Sequence, residues 1–99
     1  MAPKDLKVLR MLMDTPSGLY GSQIVAESNG FITRGTVYTL LARLVDKGFV
    51  REVEEPPTAA LQMARTRHLI TAIGKRAVMD YVREMNLLIP GLAVNLEGA

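Results

Sequence analysis

A chain of 99 residues has room for one domain with one small core, and a hydrophobic share of 48% excludes a disordered polypeptide. The absence of cysteine rules out a disulfide scaffold and a thiolate site, and no apolar run approaches the ~18 residues that a bilayer span requires. Met1 to Arg10 carries no signal-peptide pattern, so a soluble, cytoplasmic protein without a membrane partner is expected.

In chain order, Pro3 suits the first turn of a helix, and Leu6, Val8, Leu9, Leu12 and Met13 repeat at helical spacing from about Lys4 to Met13. Asp14-Thr15-Pro16-Ser17-Gly18 is dense in turn formers and ends that helix. Leu19 to Ser28 reads as a second helix, stopped by Asn29-Gly30, both of which tolerate positive φ. Thr33 can cap a third helix running to about Lys47, with Gly48 as its stop. Phe49 to Glu55 alternates and is rich in β-formers, and Pro56-Pro57 breaks it. Ala64 to Ile70 returns as a second strand, leaving Thr58 to Met63 as the hairpin tip. Thr71 caps a fourth helix from Ala72 to about Leu88, ended by Pro90-Gly91. The expected fold is mainly α with a small β-hairpin. Residues 1–70 form a winged helix-turn-helix, 71–90 a C-terminal dimerisation helix in the same compact unit, and 91–99 a loose tail. A three-helix bundle with an accidental hairpin is the alternative.

The third helix is the most informative element. At ~100° per residue, Val37, Leu40, Leu41, Leu44 and Val45 share one face. Thr39, Ala42, Arg43 and Asp46 share the opposite face, and Thr33, Arg34 and Thr36 lie at the N-terminal end. A helix with its back in a core and short polar or basic residues in front is suited to a DNA groove. Charge clustering agrees. Arg34, Arg43, Lys47 and Arg51 face only Asp46 between Phe31 and Arg51, and Arg65, Arg67, Lys75 and Arg76 face no acid between Leu61 and Arg76. An ordinary solvated surface would show the same clustering by chance.

Tyr20-Gly21 followed by Ile24, then Gly35-Thr36-Val37-Tyr38, Leu41, Leu44 and Gly48, then Arg67-His68-Leu69-Ile70-Thr71 with Gly74, resembles the PadR family of bacterial transcriptional regulators. The matches span about Leu6 to Val82, and the short C-terminal end resembles the compact members. Two features depart from the family pattern. His68-Leu69 stands where the family has an aromatic pair, and the wing is apolar, without the Gly and Lys common at such tips.

The resemblance implies a phosphate contact for Tyr38, whose other reading is a half-buried aromatic between the second and third helices. Arg34 can hold guanine bidentately or contact a phosphate. Thr33, Thr36, Thr39 and Arg43 complete the expected DNA-binding strip, and Asp46 marks its far end. Arg65 and Arg67 alternate on the second wing strand and should point the same way, either straddling a phosphate row or pairing with Glu52 or Glu54. Gln62 near the tip is a weaker contact candidate.

His68, the sole histidine, offers no zinc set and no catalytic set, and reads as structural. No enzyme and no cofactor are therefore expected. The fourth helix carries two apolar strips. One runs through Ile73, Ala77, Tyr81, Met85 and Leu88, the other through Val78, Val82, Met85 and Ile89. One strip can cover the core, and the other then lacks a partner unless a second copy supplies it; one wide strip on a monomer is the alternative. The resemblance implies dimerisation through this helix. Ile73, Ala77, Val78, Tyr81, Val82, Met85 and Leu88 are the expected interface. It also implies that the dimer interface can hold a small aromatic effector; the chain has no Trp to stack a flat ligand, though Tyr81 and the methionines could line such a pocket. The function expected is a homodimeric DNA-binding transcriptional regulator, a repressor reading an inverted repeat. A winged-helix module that binds another protein is the alternative.

Overall fold

The structure is a computed structural model that describes residues 1–89 and 91; the tail expected from Leu92 to Ala99 lies outside them. The order is α1 (Pro3–Met13), β1 (Leu19–Tyr20), α2 (Gly21–Glu27), α3 (Arg34–Asp46), β2 (Val50–Glu55), β3 (Arg65–Ile70) and α4 (Ala72–Leu88). Three helices, a hairpin and a fourth helix make a winged helix-turn-helix, mainly α with a small sheet, as the periodicities predict.

One element differs from the sequence reading. Leu19 and Tyr20, expected to open the second helix, form a short strand. They pair with the outer edge of β3 at Leu19↔His68 and Tyr20↔Arg67. β2 pairs with the other edge, from Val50↔Ile70 to Glu55↔Arg65, so β3 is the central strand of an antiparallel sheet ordered β1-β3-β2. A two-residue strand has no sequence period of its own, and the open backbone edge of β3 decides it. α2 then starts at Gly21, where the Tyr20 amide donates to Gln23 Oε1 at 2.8 Å.

The core is made by the faces that the spacing assigns. Val8, Leu9 and Leu12 of α1, Ile24 of α2, Val37, Leu40, Leu41 and Leu44 of α3, and Val78 and Val82 of α4 are all buried, together with Ile32, Leu19 and Val50. Ser28 secures the turn between α2 and α3. Its hydroxyl accepts from the Ile32 amide at 3.0 Å and meets the Val25 carbonyl at 2.9 Å.

Thr71 ties the C-terminal helix to the end of α3. Its hydroxyl donates to the Gly48 carbonyl at 2.6 Å and accepts from the Gly74 amide at 3.0 Å, while its own amide donates to the Phe49 carbonyl at 3.0 Å. This is the predicted N-cap, one orphan amide of α4 satisfied by a threonine. Gly74 is required there by space, because a Cβ would lie 2.2 Å from the Phe49 carbonyl oxygen.

Candidate nucleic-acid interface

α3 turns its apolar stripe inward and leaves Arg34, Thr36, Thr39 and Ala42 exposed. Thr33 occupies the N-cap position with extended backbone, but its hydroxyl meets Thr36 Oγ1 at 3.0 Å rather than a helix amide. The two threonines therefore order each other at the helix start. Arg34 is exposed beside them. Tyr38 stands on the flank of α3 that faces α2 and is 58% exposed. A Cβ on Gly21 would come within 2.7 Å of the Tyr38 ring. The Tyr-Gly of the α2 start and the tyrosine of α3 are thus one packing unit. Gly21 lets the ring lie against α2 while most of the tyrosine remains open to solvent.

The wing closes the same flank. Arg65 and Arg67 do point the same way, as alternation on β3 predicts, and both approach the Tyr20 ring. The Arg65 guanidinium lies 3.6 Å from the ring centroid and that of Arg67 5.0 Å. Their further partners differ. Arg67 Nη2 donates to the Tyr20 hydroxyl at 2.8 Å and to Glu55 Oε2 at 2.8 Å, and the Tyr20 hydroxyl in turn donates to Glu55 Oε1. The hydrogen bond to Tyr20, with the Glu55 charge beside it, raises the Arg67 pKa further. Arg65 is stacked on the ring and faces a groove of about 300 Å³ between the wing and α3, lined also by Ser22, Tyr38, Met63 and Thr66. A guanidinium, two kinds of hydroxyl and an open groove form a set suited to a phosphate group.

The helix-turn-helix model of the IclR type matches residues 4–54, from α1 to the end of β2. The chain belongs to the IclR helix-turn-helix domain family. No functionally curated protein matches the sequence. The fold continues past the matched segment, and solved structures share it. A transcriptional regulator from Thermoplasma acidophilum is 23% identical, with 86% of this chain and 82% of that one covered at a TM-score of 0.71. A PadR family transcription regulator from Clostridium difficile is 21% identical, with 88% and 91% covered at 0.70. Bacillus subtilis PadR, solved in complex with operator DNA, is 20% identical, with 96% of this chain but 51% of that one covered at 0.68. The fold is that of PadR-type winged-helix regulators, in line with the resemblance carried by Tyr20-Gly21, Gly35-Thr36-Val37-Tyr38 and Thr71-x-x-Gly74.

Arg43 of this IclR-type domain and Arg67 beyond it have acidic partners within the chain. Arg43 stays half exposed on the front of α3 but is engaged by α1. Its Nη2 donates to Asp5 Oδ1 of α1 at 2.5 Å, and Lys47 Nζ lies 3.9 Å from Asp5 Oδ2. A carboxylate of α1 thus partly neutralises the cation expected to be free. Asp5 begins the stripe continued by Val8, Leu9 and Leu12, and an acid on an apolar stripe is the signal that would have found it. Arg67, expected over a phosphate row, is held by Tyr20 and Glu55; its acidic partner is neither Glu52 nor Glu54.

Val78 and Val82, expected at a copy-to-copy interface, are buried in the core of their own chain. They share the face of α4 that carries Gly74, and that face meets the bundle at Phe49 and Ile70. Ile73 and Leu88 are exposed, at 63% and 68%, and Ala77, Tyr81 and Met85 are half-buried beside them. A second cavity, of about 560 Å³, lies on the other flank of α3 between Phe31, Pro3, Leu40 and Arg43. Gly35, Thr36 and Thr39 line it as well.

His68 is buried in mid-strand opposite Leu19 and Glu52, and burial lowers its pKa against the opposing pull of Glu52 and of the Leu19 backbone. Its Nδ1 has no hydrogen-bond partner among the described residues. Also among these residues, no three His, Asp or Glu side chains converge as metal ligands, and no helix is long and apolar enough to cross a membrane.

Proposed function

We propose that this chain is a sequence-specific DNA-binding transcriptional regulator, working as a homodimeric repressor on an inverted repeat. The observation that carries the reading is the groove between α3 and the wing, where Arg65 stacked on Tyr20 faces Tyr38 and Ser22 beside the exposed strip of α3. In this reading Arg34, Thr36 and Thr39 enter the major groove. Thr33 orders the helix start, and Tyr38, Ser22 and Arg65 take a backbone phosphate. The phosphate contacts position the helix, and the side chains at its N-terminal half read base edges. Bacillus subtilis PadR, which has a similar fold, was solved in complex with operator DNA, and this supports DNA as the partner.

The second copy would meet the strip of Ile73, Ala77, Tyr81, Met85 and Leu88 on α4, of which Ile73 and Leu88 are exposed and the rest only partly covered by the chain's own core. Two-fold symmetry then places two α3 helices at half-sites about one helical turn apart.

Fluorescence anisotropy tests the reading, using a duplex enriched by the wild-type chain from a random pool and titrated at two salt concentrations. Tight binding by two chains per duplex with a steep salt slope is expected. Failure to enrich any duplex, with weak binding independent of salt, would overturn it.

A further inference from the structure

Among the described residues Asp5 is the one carboxylate that is buried. It stands in the first turn of α1, accepts from Arg43 Nη2 at 2.5 Å and lies 3.9 Å from Lys47 Nζ. Both cations keep about half of their side-chain surface in solvent. Thr36, Thr39, Arg43 and Lys47 follow one another at steps of three or four residues and are all exposed, so they form one strip along the front of α3. The N-terminal half of that strip carries hydroxyls. The C-terminal half carries the two cations, and Asp5 reaches both of them.

Stability does not account for this acid. Burying a carboxylate is costly, and a partner half open to water returns little of the cost. An apolar side chain at position 5 would continue the stripe of Val8, Leu9 and Leu12. An acid in the first turn of α1 favours the helix dipole, but an exposed acid would do so equally well. What distinguishes Asp5 is its competition with an outside anion. A phosphate offers Arg43 the same charge-assisted hydrogen bonds as a carboxylate. Any phosphate that takes Arg43 leaves Asp5 buried, with Lys47 at 3.9 Å as its remaining cation.

That competition bears unequally on two kinds of duplex. Binding to a random sequence is carried by Lys and Arg on phosphates, and the protein can shift along the duplex until an exposed cation finds one. On an operator, base contacts from the N-terminal half of α3 fix the register, so a cation in the other half cannot choose its phosphate. We infer that Asp5 is a specificity-determining residue. It holds Arg43, and in part Lys47, against phosphate, and lowers affinity for non-operator DNA more than for the operator. It acts through Arg43 rather than by touching DNA. This rests on the DNA-binding reading and adds how that surface rejects the wrong sequence.

The test uses the full chain and two fluorescein-labelled duplexes, one enriched by the wild type and one a scramble of it. Each is titrated over a salt series with the wild type, Asp5→Asn, Asp5→Leu, and Asp5→Asn combined with Arg43→Ala. Asn keeps the shape of the side chain and Leu continues the apolar stripe, so folding, checked by circular dichroism, is secured by two routes. Either single variant should bind the scramble about tenfold more tightly at low salt, with a slope of log affinity against log salt steeper by about one phosphate contact. The operator should gain no more than about threefold, so the ratio of the two affinities falls. Adding Arg43→Ala should cancel the gain on the scramble. An unchanged scramble slope, an equal gain on both duplexes, or a gain that survives Arg43→Ala would each overturn the inference while leaving DNA binding intact. If the wild type enriches no duplex at all, the DNA-binding reading fails first and this inference with it.

Discussion

Asp5 and Arg43 meet across the α1–α3 interface, with Arg43 Nη2 2.5 Å from Asp5 Oδ1 and the aspartate side chain only 5% exposed. The pair links α3 to α1 and partly neutralises a cation on the front of α3. Because Arg43 is half exposed, solvent screens much of the attraction, and Asp5→Asn should cost only about 1 kcal/mol. Arg43→Ala should cost more, about 2 kcal/mol, because it leaves a buried carboxylate with only Lys47 nearby. Urea unfolding of the two single variants and the double variant measures this, and a non-additive cycle is the expected result.

The same geometry ranks the arginines in DNA binding. Arg34 and Arg65 are available, whereas Arg43 and Arg67 are engaged by Asp5 and Glu55. Each of Arg34→Ala and Arg65→Ala should lower the slope of log affinity against log salt by about one phosphate contact. Arg43→Ala should leave that slope near the wild-type value. Anisotropy titrations over a salt series give the comparison directly.

Two glycines can be told apart by what lies above them. Gly74→Ala places a methyl against the rigid Phe49 carbonyl and should destabilise the fold by about 2–4 kcal/mol, read from thermal melting. At Gly21 the methyl meets the Tyr38 ring, which can swing aside. Gly21→Ala should therefore cost about 1 kcal/mol or less in stability while weakening DNA binding through the displaced tyrosine.

His68 makes stability depend on pH. Burial holds its folded-state pKa below the ordinary 6.5, so the unfolded chain binds the proton more readily. Its contribution is complete above that ordinary value and falls as pH drops through it toward the lower folded pKa, below which it levels off. Urea midpoints between neutral and mildly acidic pH should decline in the wild type. The decline should be shallower in His68→Leu.

Charge placed on α4 should separate assembly from folding. Ile73→Glu with Leu88→Glu puts acids on exposed positions and should yield a folded monomer by light scattering. Val82→Glu puts one in the core and should unfold the chain instead.

Much of this architecture is legible in the residue order. The stripe Val37, Leu40, Leu41, Leu44 determines α3 and its inward face, Thr71 determines where α4 begins, and Pro56-Pro57 marks the end of β2. These are signals of local physics, in which side-chain period, capping and φ restriction act within a few residues. The same physics brings Arg65 and Arg67 to one face, because alternation along a strand needs no knowledge of the rest of the chain.

What the tertiary structure alone decided is partnership. Leu19-Tyr20 became a strand because β3, far along the chain, offered an open edge. Arg43, half exposed on the front of α3, is paired with Asp5, 38 residues away. Arg67 found Tyr20 and Glu55 rather than Glu52 or Glu54, and Val78 and Val82 were taken by the chain's own core rather than left for a second copy. A period in the sequence says which side chains share a face. Which face is covered, and which charge is neutralised, depends on surfaces that meet only when distant segments pack, and that was settled by burial and Coulomb attraction across the folded chain.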